Sequence, residues 1–176
     1  MSDDYVCPEC HLDYGTLDPV RISSRIRPVG DDVRSRLAGH DDQTLRTRPE
    51  PAVWSAVEYA AHLADAFDAF VEMVQVMPSG ADMTDFFWNP DDRAIVQRYN
   101  EHALESVLTA LDTNAIRLAA SFDRLRTEDW TVTAEFPWGE RDLLTMARNA
   151  VHEGVHHAQD IEHVLQRVSA SGPTSS

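Results

Sequence analysis

Apolar residues recur every three or four positions along three long stretches of the chain, the pattern of helices that bury one face. This pattern predicts a first long helix over 54–77, a second over 92–125 with an interruption near 112–114, and a third over 141–168. The buried stripes of the first two helices are Ala60, Leu63, Phe67, Phe70, Val74 and Met77, and Leu104, Val107, Leu108, Leu111, Ala115, Leu118 and Phe122. Such helices are typical of a bundle.

Proline, glycine and polar residues mark the segments between these helices. Residues 1–30 have a mixed pattern and predict an irregular N-terminal arm, followed by a short helix at about 31–38. The stretch "TVTAEF" predicts a short strand or hairpin before the last helix, and the composition of 169–176 predicts a disordered tail. The sequence therefore predicts an all-α fold, with an antiparallel four-helix bundle over 31–168.

Composition and charge narrow the range of functions. The 176 residues suffice for one domain, and the formal net charge of −15 opposes binding to nucleic acids or anionic lipids. No stretch approaches the roughly 18 apolar residues of a membrane helix, and the acidic start "MSDDYVCPEC" lacks the apolar core of a secretion signal. We therefore expect a cytoplasmic protein without nucleic-acid or membrane partners. All 15 basic residues are arginine, which indicates a GC-rich genome.

Histidine and glutamate interrupt two rows that otherwise face the core. His62 lies in a row with Tyr59 and Ala66, beside the apolar stripe of the first helix. On the last helix, Glu153 and His157 are four residues apart, so their Cβ atoms lie about 5–6 Å from each other on one face, close enough to chelate one ion. Three protein ligands leave open positions for water or substrate, as a catalytic metal requires.

Two other interpretations of the histidine run stay open on the sequence alone. His152 and His156 form a rival pair at the same spacing, and this pair can supply the core ligands instead. The run can also be a hydrated helix face whose polar side chains pair with one another.

Two segments, "WSAVEYAAHL" (54–63) and "HEGVHHAQDI" (152–161), together resemble the DinB/YfiT-like superfamily. That superfamily includes bacillithiol- and mycothiol-dependent S-transferases and maleylpyruvate isomerase-type enzymes. Its first motif is Trp-x-x-x-Glu-x-x-x-His. Its second is either His-x-x-x-His, with a histidine where this chain has Glu153, or Glu-x-x-x-His followed by Asp three residues on. The matching residues here are Trp54, Glu58 and His62, and Glu153, His157 and Asp160. The resemblance covers about residues 30–168.

The resemblance implies a four-helix bundle with a divalent metal held by His62, Glu153 and His157. Zinc is the expected metal, and nickel, iron and manganese are compatible with the same ligands. The resemblance further implies that a metal-bound low-molecular-weight thiol becomes a thiolate, which attacks a small electrophile or assists an isomerisation. Mycothiol fits the actinobacterial source that an arginine-only composition favours. Asp160 is the candidate catalytic residue, which either takes a proton or orients a ligand.

The N-terminal segment with Cys7, Cys10 and His11 has several interpretations. It matches the attachment motif of c-type haem, but that attachment needs export, for which the sequence shows no signal. A redox pair would be expected in a βαβ setting, which the sequence does not predict. As half of a structural zinc site it needs two more ligands, which His152 and His156 can supply, with His11 as a substitute. Two free thiols on a mobile arm are the remaining alternative.

These motifs predict a metal-dependent thiol S-transferase or isomerase acting on a small electrophile. The alternatives are a non-catalytic metal-binding or stress-associated bundle protein and a metal-dependent hydrolase. Catalysis would need an accessible metal beside an apolar mouth. The candidate lining residues of this mouth are Trp54, Trp88, Trp130 and Trp138. A homodimer formed through helix faces is compatible with the sequence.

Overall fold

The four members of a helical bundle account for most of the structure. A computed structural model describes residues 5–80, 82–86 and 88–171. Its three long helices are α4 (Ala56–Val76), α6 (Leu104–Asp123) and α7 (Leu143–Ala170), and its shorter ones are α1 (Pro19–Ile26), α2 (Val29–Leu37), α3 (Asp42–Arg46) and α5 (Pro90–Val96). Helices α1 and α2 follow each other closely and together form the fourth member. The predicted all-α four-helix bundle is confirmed.

The bundle members meet in a regular arrangement. Helices α6 and α7 each pack against α4 on one side and against the α1–α2 pair on the other. The apolar stripes predicted from the sequence lie in this core, where Leu63, Phe67 and Leu111 are fully buried. Across the described residues, no helix combines the length and apolar character that crossing a membrane requires.

The N-terminal segment is more helical than the predicted irregular arm over 1–30. The Asp18 side chain accepts a hydrogen bond from the backbone N–H of Arg21, and Pro19 occupies the first turn of α1. Proline fits the first helical turn because its missing N–H would be unpaired there in any case. The prediction treated these prolines only as helix breakers, although Pro19 starts α1 and Pro28 precedes α2 directly.

The prediction of one long helix over 92–125 is wrong. The chain forms α5 and α6 instead, and Arg98 between them has a left-handed backbone with φ of 54°. Residues 112–114, where the interruption was predicted, are helical and lie inside α6. There the Asn114 side chain donates to the carbonyl of Ala64 at 2.9 Å, which explains a polar residue at this helix contact.

A two-stranded hairpin precedes α7, as the sequence predicted. Strands β1 (Thr133–Phe136) and β2 (Gly139–Asp142) pair antiparallel. Asp142 ends the hairpin and also caps α7, because its side chain accepts a hydrogen bond from the N–H of Thr145 at 2.8 Å. Of the tail predicted over 169–176, the helix reaches Ala170, and residues 172–176 lie outside the described part.

The segment before α1 is fixed along α7. The Tyr14 hydroxyl donates to Asn149 Oδ1 at 2.9 Å, and Arg148 Nε donates to the carbonyl of Leu17 at 3.0 Å. Both Tyr14 and Leu17 are buried. Two side chains of α7 thus hold the first described residues against the bundle.

Candidate metal centre and a second cluster

The structure brings His62, Glu153 and His157 together between α4 and α7. Glu153 Oε2 lies 3.1 Å from His62 Nε2 and 3.2 Å from His157 Nε2. Histidine or carboxylate donor atoms from all three residues lie within 4.8 Å of one another. We call this group the core cluster. It uses the pair at positions 153 and 157 of α7, and the rival pair, His152 and His156, lies elsewhere.

The charges of the core cluster depend on one another. Burial raises the pKa of Glu153, but hydrogen bonds from His157 and His62 outweigh burial and hold that pKa below its usual range. Burial lowers the pKa of His157, but hydrogen bonds to Asp160 and Glu153 raise it to about 9. Without a metal, the half-buried Glu153 carboxylate is therefore an anion, and the protonated His157 ring compensates its charge.

This donor set fits a divalent metal. Nitrogen and oxygen ligands placed about 2.0–2.2 Å from one ion at a tetrahedral angle stand roughly 3.4 Å apart, so the observed separations need only a small widening. The nitrogen of His62 that faces Glu153 is Nε2, whereas its other ring nitrogen, Nδ1, is buried without a hydrogen-bond partner.

The core cluster opens onto an apolar cavity of about 230 Å³. Its other lining residues are Trp54, Ala66, Ala69, Phe70, Trp88 and Pro90. Ala66 and Ala69 continue the row of His62 along α4, and their small side chains leave space beside the donors. The sequence contained that signal, whereas nothing in its periodicity pointed to Phe70 or Pro90 as cavity residues.

Asp160 lies behind the core cluster rather than in the cavity. Its Oδ2 atom is 2.8 Å from His157 Nδ1, on the ring edge opposite to the one that faces Glu153. A carboxylate in this position fixes the tautomer and the orientation of a metal-binding imidazole. The geometry therefore favours the orienting role among the two that the sequence predicted for Asp160.

Two residues of the first motif differ in what they contact. The Trp54 ring packs on His62 with centroids 5.1 Å apart and lines the cavity. Glu58 is buried, accepts hydrogen bonds from Arg48 Nε at 2.8 Å and from the N–H of Ser55 at 2.9 Å, and caps α4. Glu58 therefore fixes the start of the helix that carries His62.

The four tryptophans considered for the mouth divide into two pairs. Trp54 and Trp88 line the cavity. Trp130 stacks on Phe122, and Trp138 stacks on the hairpin residue Phe136. The latter two are not among the residues that line the cavity.

A second cluster joins the N-terminal segment to α7. Cys7, Cys10, His152 and His156 each offer a donor atom within 4.8 Å of the others. Cys7 Sγ lies 3.6 Å from His156 Nδ1. Both thiols are free and buried. His11, predicted as a substitute ligand, is exposed, with its backbone in the left-handed region at φ of 56°. We call the four clustered residues the terminal cluster.

The two thiols of the terminal cluster differ in their acidity. Burial raises the pKa of Cys7, but the Cys10 backbone and the adjacent His152 ring outweigh it and lower the pKa to about 5. Burial raises the pKa of Cys10, and the charge on Cys7 adds to that shift. Cys7 therefore ionises more readily than Cys10.

The comparisons with known proteins agree with this architecture. The DinB superfamily model matches residues 26–161. YfiT from Bacillus subtilis, a probable metal-dependent hydrolase with an unusual four-helix bundle topology, has a TM-score of 0.78 at 14% identity over 86% of this chain and 87% of that chain. The mycothiol-dependent maleylpyruvate isomerase has a TM-score of 0.66 at 14% identity over 89% of this chain and 70% of that chain. No curated protein sequence matches significantly. At this identity, the two structures establish the fold alone.

Proposed function

The chain belongs to the DinB superfamily, and we propose that it is a divalent-metal-dependent enzyme that transfers a low-molecular-weight thiol to a small electrophile or uses it in an isomerisation. One observation carries this proposal: His62, Glu153 and His157 all line one apolar cavity. A ligand in that cavity lies directly beside the three donors. Similarity to a mycothiol-dependent isomerase supports mycothiol as the thiol.

The residues in and around the core cluster have different proposed roles. His62 and His157 would hold the metal through Nε2 and Glu153 through Oε2, the atoms that converge in the structure. When bound, the metal supplies Lewis acidity, which lowers the pKa of a coordinated thiol or polarises a carbonyl group. Asp160 keeps the His157 ring in place through Nδ1. Zinc suits these nitrogen and oxygen donors, and nickel, iron and manganese are the other candidates.

The cavity determines what can reach the donors. Its volume of about 230 Å³ suits a small substrate. Trp54 and Trp88 present aromatic surfaces to it, which favour a flat, apolar electrophile and exclude water from the reacting atoms. Apart from the core cluster, the described residues of its walls offer few groups that could bind a charged substrate.

The first experiment measures metal content per chain by elemental analysis, on protein purified without a histidine tag. We expect His62→Ala to lose one equivalent relative to the parent, because His62 is one of three donors. His163→Ala is the matched control, since His163 is exposed on α7 outside both clusters and should leave the content unchanged. Equal metal content in the parent and His62→Ala would overturn the assignment of the core cluster.

The second experiment measures turnover of the metal-loaded parent with mycothiol and small electrophiles, including maleylpyruvate. We expect thiol-dependent turnover that a chelator abolishes and added metal restores. His62→Ala should lose it and His163→Ala should keep it. A parent that keeps its core metal but turns over none of these substrates would favour a non-catalytic metal-binding protein.

Similarity to YfiT, a probable metal-dependent hydrolase, supports hydrolysis as the second candidate function, because its TM-score of 0.78 exceeds the 0.66 of the isomerase. A hydrolase also needs a metal beside a cavity, but it uses water as the nucleophile. The thiol requirement separates the candidates: cleavage of a small ester or amide without any thiol would favour the hydrolase.

A further inference from the structure

We propose that the terminal cluster, formed by Cys7, Cys10, His152 and His156, is a second metal site that binds zinc and fastens the N-terminal segment to α7. This site is separate from the core cluster and has no part in the proposed reaction. It rests on the positions of its own four residues.

The donor set of the terminal cluster matches a structural zinc site. Two thiolates and two imidazoles are a common tetrahedral ligand set for zinc, and four protein ligands leave no open position for a substrate. Each thiol would release its proton to solvent as its sulfur binds the ion. None of the four residues is among those that line the cavity beside the core cluster.

The distances in the terminal cluster also fit. A sulfur at about 2.3 Å and a nitrogen at about 2.0 Å from one zinc ion at a tetrahedral angle stand roughly 3.5 Å apart. Cys7 Sγ and His156 Nδ1 are 3.6 Å apart in the structure. His152 Nε2 is buried without a hydrogen-bond partner. A ligand shared by the four residues would account for that atom.

The backbone around the cysteines is shaped to present both sulfurs to one side. The N–H of Cys7 donates to the carbonyl of Leu12, and the N–H of His11 donates to the carbonyl of Cys7, both at 3.0 Å. Val6 and Asp13 pair across this turn as an isolated bridge. His11 takes the left-handed backbone position in this turn, and its side chain is exposed and outside the terminal cluster.

Carboxylates hold the second nitrogen of His156. Its Nε2 lies 3.3 Å from Glu9 Oε2 and 3.6 Å from Asp160 Oδ2. The closer contact, with the exposed Glu9, is of the kind that orients a zinc-binding histidine, and here Nδ1 faces Cys7 Sγ. Because Asp160 also contacts His157, the same carboxylate supports one histidine of each cluster.

The test counts zinc per chain in a set of variants after incubation with zinc and gel filtration. We expect two equivalents in the parent and one in the Cys7→Ser/Cys10→Ser double variant. The matched control is His11→Ala, which changes the same turn outside the cluster and should keep two equivalents. His62→Ala should keep one equivalent of zinc, bound at the terminal cluster. This variant therefore tests the core cluster independently of the terminal cluster. The proposal is overturned if the double variant binds as much zinc as the parent.

A second measurement tests whether Cys7 and Cys10 bind the metal even if the double variant does not fold. Cobalt replaces zinc in the parent, and binding through Cys7 and Cys10 should give intense thiolate-to-cobalt absorption in the near ultraviolet. The His62→Ala protein should keep that absorption, because its terminal cluster is intact. Cobalt binding without any thiolate absorption in the parent would refute the site.

Discussion

At the scale of single residues, Asp160 has the most consequential position. Its Oδ2 atom lies 2.8 Å from His157 Nδ1 and 3.6 Å from His156 Nε2, so one carboxylate contacts both clusters. On the opposite edge of its ring, His157 faces Glu153. We therefore expect a change at Asp160 to affect a metal held by His157 rather than a substrate in the cavity.

We predict that Asp160→Asn weakens metal binding at the core cluster about 10-fold to 100-fold, because the charged partner of the His157 ring is lost. Zinc competition against a chromophoric chelator measures this, in the Cys7→Ser/Cys10→Ser background so that only the core cluster is read. Glu162→Gln removes the same charge from the exposed side of α7 and should leave the affinity unchanged. Equal affinities for both variants would contradict the orienting role.

Glu58 acts on stability rather than chemistry. Burial raises its pKa, but the guanidinium of Arg48 and the backbone and hydroxyl of Ser55 outweigh burial and lower it. A lowered folded-state pKa means that ionised Glu58 stabilises the fold above the ordinary carboxyl pKa of 4.5. That contribution is lost as the pH falls below this value and through the lower folded-state pKa.

We predict that Glu58→Gln lowers the free energy of unfolding by about 1–3 kcal/mol at pH 7, because it leaves Arg48 without its buried partner and weakens the cap of α4. Urea denaturation at several pH values measures this, and the difference from the parent should shrink toward pH 4 and below. Glu105→Gln is the control, because Glu105 pairs with Arg34 at the surface and contributes little. A pH-independent difference would contradict the ionic contribution.

At the scale of elements, α7 carries two residues of each cluster. Positions 153 and 157 face α4, while positions 152 and 156 face the N-terminal segment, because each step along a helix turns the side chain by about 100°. Gly154 lies between these pairs. A Cβ atom there would come within 2.8 Å of Val29 and 3.3 Å of Phe67, so glycine lets α2, α4 and α7 approach closely.

We predict that Gly154→Ala destabilises the fold by about 1–2 kcal/mol, although alanine is the better helix former. The added methyl group would collide with the stiff side chain of Val29 in a packed core. Thermal unfolding measures this, and Ser169→Ala, on the exposed last turn of α7, serves as the control with little change. An increase in melting temperature for Gly154→Ala would show that the helices can separate at low cost.

At the scale of the whole molecule, each of the two clusters lies between two different elements of the fold. The core cluster connects α4 to α7, and the terminal cluster connects α7 to the segment before α1. Metal ions at these places would bind the folded chain more tightly than the unfolded chain, because each complete ligand set joins residues from distant parts of the sequence. The net charge of −15 adds a general attraction for cations.

We predict that zinc at about 100 times its dissociation constant raises the melting temperature by roughly 5–10 °C per occupied site, from about 2.7 kcal/mol of linkage. Differential scanning fluorimetry measures this in the parent and in variants that lack one or both donor sets. His62→Ala and Cys7→Ser/Cys10→Ser should each keep part of the shift, and their combination should lose it. A full shift in the combined variant would place the zinc elsewhere.

Much of the architecture followed from local rules. The spacing of apolar residues predicted α4 and α7 within a few residues, and "TVTAEF" predicted the hairpin, because these patterns depend on helix and strand geometry alone. The break between α5 and α6 was misplaced. Asp112 and its neighbours have low helix propensity, which suggested a break at this point. In the fold, Asn114 donates to the carbonyl of Ala64 on α4, and this contact between residues fifty positions apart cannot be read from the local sequence.

The sequence by itself determined which residues could serve as ligands, since positions four apart share a helix face wherever the helix lies. Only the tertiary structure decided which pair meets which partner, because the rotation of α7 about its axis depends on contacts with α4 and the N-terminal segment. That rotation places Glu153 and His157 beside His62, and His152 and His156 beside the two cysteines. The shared position of Asp160 arises in the same way, from two rings that only the packed bundle brings to one carboxylate.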